Sequence, residues 1–270
     1  MGKIIPIVNH KGGVGKTTTA INLGAALAAM EKKILIVDAD PQGNASSGLG
    51  IDINDPKLIT LYQCLTITAE TKSKNEELNI DYSEAICDTD IDNLKIIPSN
   101  INLVGAELDF VNLDHRSFLL REILDTVKDE YDYILIDCAP SLGIITTNAL
   151  VAADGVIIPV QCEYLAEEGL AKLYKTILDV KKKLNPKLEI FGILLTMFDS
   201  RTKLSVQVVD DVKNYFKAMV FNTIIHRNTR LSEAPSAGES IISYDADSRG
   251  AQDYLALADE VNNRLLNWKK

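Results

Sequence analysis

Lys11-Gly12-Gly13-Val14-Gly15-Lys16-Thr17-Thr18 decides the reading of this 270-residue chain. The run follows the apolar stretch Ile4–Val8 and opens an Ala/Leu-rich segment, Lys16–Met30. Strand, glycine loop and helix in that order form the context of a phosphate-binding loop. The three glycines let the backbone curl until several N–H groups face one point. The helix N-terminus adds partial positive charge there. Lys16 reaches terminal phosphates from this position, and the Thr17 hydroxyl is placed to ligate Mg2+. The common loop pattern has glycine where this chain has His10, and a second lysine, Lys11, stands at the loop's start. A plain glycine turn accounts for the glycines but not for both lysines and the hydroxyl beside them.

Two more strand ends carry acids. One reads Val37-Asp38-Ala39-Asp40-Pro41-Gln42-Gly43-Asn44, the other Ile134-Leu135-Ile136-Asp137-Cys138-Ala139-Pro140-Ser141. A lone aspartate after a strand is usually a cap or turn residue. Ligands in an open parallel sheet sit at the carboxyl ends of strands, so Asp38, Asp40 and Asp137 are expected to face the loop together. Acids placed there support a divalent cation, directly or through water, or orient an attacking water.

The remaining chain fits this frame. Ile4–Val8, Ile34–Asp38, Leu94–Pro98, Tyr133–Asp137, Val156–Val160, Ile190–Thr196 and Val220–Ile225 read as strands, mostly continuous apolar runs covered on both faces. Helix-length segments such as Lys16–Met30, Phe118–Glu130, Glu168–Lys183 and about 251–266 lie between and after them. The expected fold is α/β, a mostly parallel twisted sheet flanked by helices on both faces. No repeat or linker divides it, so 1–270 reads as a single domain, with the polar stretch Thr66–Asn93 as a surface excursion.

The charge is −10, which excludes a protein that coats nucleic acid with its whole surface. Its distribution is uneven. Residues 51–100 carry ten acids and four bases, whereas residues 195–230 carry six bases and three acids, leaving room for a local basic face. No apolar run approaches a membrane span or a signal-peptide core. Cys64, Cys87, Cys138 and Cys162 form no C-x-x-C pair and read as reduced core fillers of a cytosolic protein. His10, His115 and His226 offer no metal-ligand spacing.

Together the three motifs resemble the deviant Walker A P-loop ATPases of the ParA/MinD family, most closely its short chromosomal ParA (Soj) branch. Val160-Gln161-Cys162-Glu163-Tyr164, Thr196-Met197-Phe198-Asp199-Ser200-Arg201-Thr202 and Arg227-Asn228-Thr229-Arg230-Leu231-Ser232-Glu233-Ala234-Pro235-Ser236 extend the match over nearly the whole chain. The resemblance implies an Mg2+-dependent ATP hydrolase. Lys16 and the amides of Gly12, Gly13, Val14, Gly15, Thr17 and Thr18 would hold ATP phosphates. Lys11 resembles the signature lysine that reaches the partner's nucleotide in an ATP-dependent sandwich homodimer. A side chain at Gly12, where the subunits approach, would block that dimer. Thr17 would ligate Mg2+ with Asp38 and Asp137 supporting its shell, and Asp40 would position the hydrolytic water. Arg227 and Asn228 fall near the adenine. Relatives often have glutamine at His10 and proline at His226. Both histidines read as satisfied loop residues.

The same resemblance implies sequence-independent binding to double-stranded DNA by the ATP dimer. Arg201 and Arg230 match the arginines that serve this, and Lys203, Arg227, Lys217 and Arg249 are weaker candidates. A ParB-type partner stimulates hydrolysis in relatives through a basic segment. The acidic stretch 51–100, including Glu76 and Glu77, is the expected recruiting surface. Cytoplasmic, nucleoid-associated partitioning of a chromosome or plasmid follows, with no membrane partner. The alternative is a MinD-like membrane-cycling ATPase, which needs a C-terminal amphipathic helix. The end, Asn262–Lys270, is short and reads as the close of the last packed helix, with Trp268 a core lid. Iron–sulfur relatives need a second suitably spaced cysteine beside Cys138, and nothing marks a small-substrate pocket.

Overall fold

Continuous apolar runs that cannot face water on either side become the middle layer of the molecule. The computed structural model describes residues 2–74, 80–163, 166–266 and 268, with residues 166–168 described by their backbone alone. Its strands are β1 (Lys3–Ile7), β2 (Ile34–Ala39), β3 (Cys87–Asp88), β4 (Leu94–Ile97), β5 (Tyr133–Cys138), β6 (Gly155–Gln161), β7 (Glu189–Phe198) and β8 (Val220–His226). The order across the sheet is β3-β4-β2-β5-β1-β6-β7-β8. Only the β3–β4 pair is antiparallel. The longer helices are α1 (Lys16–Ala29), α2 (Leu61–Ser73), α3 (Leu119–Val127), α4 (Ile144–Ala152), α5 (Ala166–Lys183), α6 (Lys203–Phe216) and α7 (Arg249–Leu266).

Every residue of β2 and β5 is buried, because alternate side chains enter two separate cores. Leu35, Val37, Ile134 and Ile136 pack towards α2, α3 and α4. Ile34, Ile36 and Leu135 pack towards α1 and α7. The α/β class with helices on both faces is therefore the observed fold. The seven expected strands are all present.

Three local expectations change. The antiparallel edge strand β3 was not legible, because it is only two residues long and only one of them is apolar. It is held by a turn in which Asn93 takes a positive φ of 64°, and its Asp88 pairs with Lys95 at 2.9 Å. A short, charged edge of this kind resists pairing with another sheet. Helix α2 runs eight residues further into the polar stretch 66–93 than its composition suggests. A capping box opens it, with Thr60 N–H donating to Gln63 Oε1 at 3.0 Å. Thr68 lies in the core yet costs little, since its hydroxyl meets Cys64 O and the Tyr82 hydroxyl at 2.7 Å each. The helix expected over 118–130 is α3 followed by a 3-10 turn, Lys128–Glu130.

Trp268 covers the start of β7 as a lid. Its ring lies 4.7 Å from that of Phe191, and its indole N–H donates to Glu189 Oε2 at 2.9 Å. On the same face Phe221 is fully buried against Gly192. A Cβ at Gly192 would stand 2.2 Å from the Phe221 ring. Gly192→Ala is expected to destabilise the protein by about 1–3 kcal/mol through overpacking. Urea unfolding measures this, and an unchanged midpoint would contradict the packing described.

Candidate phosphate-binding site

The order β2-β5-β1 sets three carboxyl ends side by side. Asp38 of β2 is the register partner of Asp137 of β5, and Asp137 is also the partner of Ile7, the last residue of β1. The glycine loop leaves β1 at this point and returns as α1.

The loop is pinned from its own chain and from neighbouring strands. Asn9 Nδ2 donates to Pro159 O at 2.7 Å, and Lys11 N–H donates to Asn9 Oδ1 at 3.0 Å. The Thr196 hydroxyl donates to Val14 O at 2.9 Å, and the Thr19 hydroxyl donates to Gly15 O at 2.7 Å. Gly13 and Gly15 have φ of 72° and 88°, the left-handed region that a side chain resists. Gly12 is different: beyond its chain neighbours, no atom of the described residues lies within 4 Å of where its Cβ would be. No packing among the described residues requires glycine there. Lys11 is exposed, whereas Lys16 is buried and its Nζ donates to Lys11 O at 3.1 Å. Burial lowers the Lys16 pKa, and Asp137 and Asp40 pull it partly back.

Asp38 and Asp137 are both fully buried. Asp38 is well supplied with donors: Ser46 N–H and Oγ–H reach its Oδ2 at 2.9 and 2.7 Å, and Asp40 N–H reaches Oδ1 at 3.2 Å. Desolvation outweighs these bonds and pushes its pKa up to about 6. Asp137 has no hydrogen bond of good geometry on either oxygen. Desolvation and the neighbouring Asp38 charge push it well above the carboxylate range, and the Thr17 hydroxyl and Lys16 offset only part of this. Asp40 is nearly buried and accepts from Gln42 N–H at 3.0 Å.

A cleft beside the loop is lined by Gly15, Thr18, Met197, His226, Arg227 and Asn228. Arg227 pairs with Glu163 at 2.9 Å, and Asn228 Oδ1 accepts from Arg230 N–H at 2.8 Å. His226 is satisfied at its Nδ1, as the last residue of β8 instead of in a loop. Its backbone N–H and its ring Nδ1 both lie on Asp253 Oδ2, at 2.8 and 2.9 Å. The buried Nδ1 of His10 has no partner among the described residues, and the ring sits where a Cβ on Gly169 would come within 3.0 Å.

The two expected DNA-facing arginines lie beyond β7 and β8, and each has a carboxylate partner. Arg201 grips Asp199 through Nε at 2.9 Å and a terminal nitrogen at 2.6 Å, holding that carboxyl down at about 2. Arg230 reaches Glu233 at 2.8 Å and Asp245 at 3.4 Å. Arg249 pairs with Asp253 at 3.0 Å. Glu76, Glu77, Tyr164, Asn267, Lys269 and Lys270 lie outside the described residues.

Sequence reasoning missed Asn9, Ser46 and Thr196 as the residues that position the loop and Asp38. Asn9 and Thr196 stand near strand ends, whereas Ser46 lies in the one-turn helix Asn44–Ser47 and carries no such signal. Among the described residues no three His, Cys, Asp or Glu side chains form a metal cage, and no helix is long and apolar enough to cross a membrane.

Comparison with known proteins agrees with this arrangement. A family model described as an AAA domain matches residues 2–190. The sporulation initiation inhibitor protein Soj of Bacillus subtilis is 53% identical over 261 residues, covering 97% of this chain and 98% of that protein. The chromosome partitioning protein ParA of Myxococcus xanthus is 52% identical over 264 residues, covering 98% and 89% respectively. A Mycobacterium smegmatis protein described as cobyrinic acid a,c-diamide synthase, solved with an ATP analogue and magnesium, superposes with a TM-score of 0.83. It is 33% identical and covers 100% of this chain and 98% of its own. A loop pinned beneath buried strand-end acids, with near full-length identity to Soj and ParA, places the chain in the ParA/MinD family of P-loop ATPases, in its chromosome-partitioning ParA/Soj branch.

Proposed function

We propose that residues 1–270 form one ATP-hydrolysing unit that partitions DNA, cycling between an ADP or free monomer and an ATP-bound sandwich dimer on nucleoid DNA. The observation that carries the chemistry is Asp137: a fully buried carboxylate with no hydrogen bond of good geometry among the described residues, beside Lys16 and Thr17 and in register with Asp38. A buried unpartnered carboxylate is costly and is rationalised by a cationic ligand. The acids and the Thr17 hydroxyl suit a hard divalent ion held mostly by phosphates and water. Mg2+, when bound, neutralises charge on the terminal phosphates.

The chain's own groups do the rest. The loop amides bind phosphate oxygens, and Lys16 shields their charge. Asp40, on the loop after β2, holds the attacking water. Lys11 is exposed and free to reach a partner's phosphates. Two facing nucleotides repel, so such added cations favour the dimer. DNA contact then comes from Arg201 and Arg230 of both copies, which doubles the number of phosphates engaged. A ParB-type partner with a basic segment accelerates hydrolysis and releases the protein.

Sedimentation with long duplexes of unrelated sequence, in ATP, ADP or no nucleotide, tests the reading, with Asp40→Ala included to hold the ATP state. Pelleting is expected with ATP only, equal on all sequences and abolished at high salt. Arg201→Ala and Arg230→Ala are each expected to flatten the log–log salt dependence by roughly 1 for every phosphate left without its arginine. ATP-dependent binding to anionic liposomes instead of DNA would favour the membrane-cycling alternative.

Gly12→Val is expected to change the melting temperature little, since a Cβ there meets no atom of the described residues beyond its chain neighbours. ATP-dependent dimerisation in analytical ultracentrifugation is expected to disappear. A Gly12→Val dimer of wild-type strength would remove Gly12 from the subunit contact.

Without nucleotide or Mg2+, the buried acids oppose folding. The folded pKa of Asp38, about 6, lies above the unfolded value near 3.8, so the native state takes up the proton first as pH falls. This destabilisation is full above about pH 6 and is relieved towards pH 4. Asp137 shifts in the same direction, with only the Thr17 hydroxyl and Lys16 opposing the shift. Asp137→Asn in EDTA is therefore expected to stabilise the protein at about pH 7.5 by roughly 1–3 kcal/mol, with the gain shrinking as pH drops to about 5. Differential scanning calorimetry across pH measures it, and a lower melting temperature at pH 7.5 would show that the charge is compensated.

A further inference from the structure

We propose that His226 reads the 6-position of a purine base: its Nε2, left as a hydrogen-bond acceptor by the Asp253 clamp on Nδ1, takes a bond from a 6-amino group and disfavours a 6-oxo group. The inference rests on the nucleotide-binding reading and names the group that selects the base.

Asp253 sets the protonation of the ring. Its side chain is only 7% exposed. Oδ2 receives the His226 backbone N–H, and Oδ1 receives Arg249 Nε at 3.0 Å. An ionised carboxylate only accepts, so the ring nitrogen lying 2.9 Å from Oδ2 is the one that carries the proton. The neutral imidazole then has a lone pair on Nε2 and nothing else there. Nε2 has no hydrogen-bond partner among the described residues and is not among the buried polar atoms that lack one. The side chain is 31% exposed and lines the cleft that opens beside Gly15 and Thr18. Edge contact with Phe198, at 5.5 Å and 76°, fixes the ring plane.

Neighbouring cleft residues set donors beside this acceptor. Arg227 is held by Glu163, and Asn228 spends its carbonyl oxygen on Arg230 N–H, leaving its amide N–H groups as donors. The rim therefore offers an acceptor from His226 and donors from Asn228, beside the hydroxyls of Thr18 and Ser232, which can do either. A 6-aminopurine presents an N–H donor flanked by ring-nitrogen acceptors, which matches that pair. A 6-oxopurine presents a carbonyl oxygen, which would meet the Nε2 lone pair. Sites built to pair a polar group reject an analogue that lacks it, because buried groups are left unpaired.

Competition of ATP and inosine triphosphate against a fluorescent ATP analogue tests this at about pH 8, above the ordinary histidine range. The two nucleotides differ at the 6-position, which also sets the proton on N1. The wild type is expected to favour ATP by about tenfold, near the upper range for one hydrogen bond. His226→Leu keeps bulk but removes the acceptor and is expected to bring the ratio close to unity. His226→Gln restores an acceptor and is expected to recover much of the preference. A ratio unmoved by His226→Leu, whether or not both affinities fall, overturns the inference alone. A wild type that binds neither triphosphate overturns the nucleotide reading and the inference with it.

Discussion

Two carboxylates that cannot reach water stand side by side at the ends of β2 and β5, and the surrounding structure is arranged about them. Parallel pairing fixes Asp38 against Asp137, and the burial of both strands on both faces denies either residue an exit. Like charges this close, without solvent, raise each other's proton affinity. Ser46 relieves Asp38 with two donors, and its own hydroxyl accepts from Ser99 N–H at 3.0 Å, tying β2 to the end of β4. Asp137 receives no such relief. The one buried ammonium nearby, Lys16, arrives on the helix that the glycine loop starts. Acids and loop are thus a single electrostatic unit, and the strand order β2-β5-β1 brings them together.

That unit demands a rigid loop, and the rigidity comes from both sheet and helix. Asn9 and Thr196 anchor it to β6 and β7, while Thr19 fastens the first turn of α1. Thr19 also meets the Tyr254 hydroxyl at 3.2 Å, and Tyr254 is fully buried on α7. The same helix carries Asp253, which clamps His226. A single helix face therefore steadies the loop from behind and shapes the cleft beside it. Displacement of α7 would disturb both at once.

The parts of the fold legible in sequence were those set by burial on two faces. Strands such as Ile134–Asp137 have no alternative partner for their apolar runs, so strand type and sheet class follow directly. The loop and the two acids were legible because motif and position agree. What escaped notice depended on contacts between distant segments. β3 has too few residues to show alternation, and α2 buries Thr68, whose hydroxyl meets that of Tyr82 only in the folded core. Ser46 and Thr196 look like ordinary turn and strand residues until Asp38 and Val14 are placed beside them. The His226 clamp joins residues 27 apart in sequence, and no local pattern announces it.

On the proposed reading, an acidic protein must bind a polyanion, and its surface arginines suggest how that conflict is managed. Arg201 and Arg230 are each held by a carboxylate of the same chain, in exposed pairs where solvent screens the attraction. Such pairs contribute little to stability, so exchanging Asp199 or Glu233 for a DNA phosphate costs little. The exchange also gains little at each phosphate, because one acceptor replaces another and the freed carboxylate is left near the backbone. A single copy is then a weak binder by construction. Affinity rises when two copies present their arginines together, since the second set engages at high effective concentration. The intramolecular pairs thereby sharpen the difference between monomer and dimer, and make DNA binding depend on the event that joins the subunits.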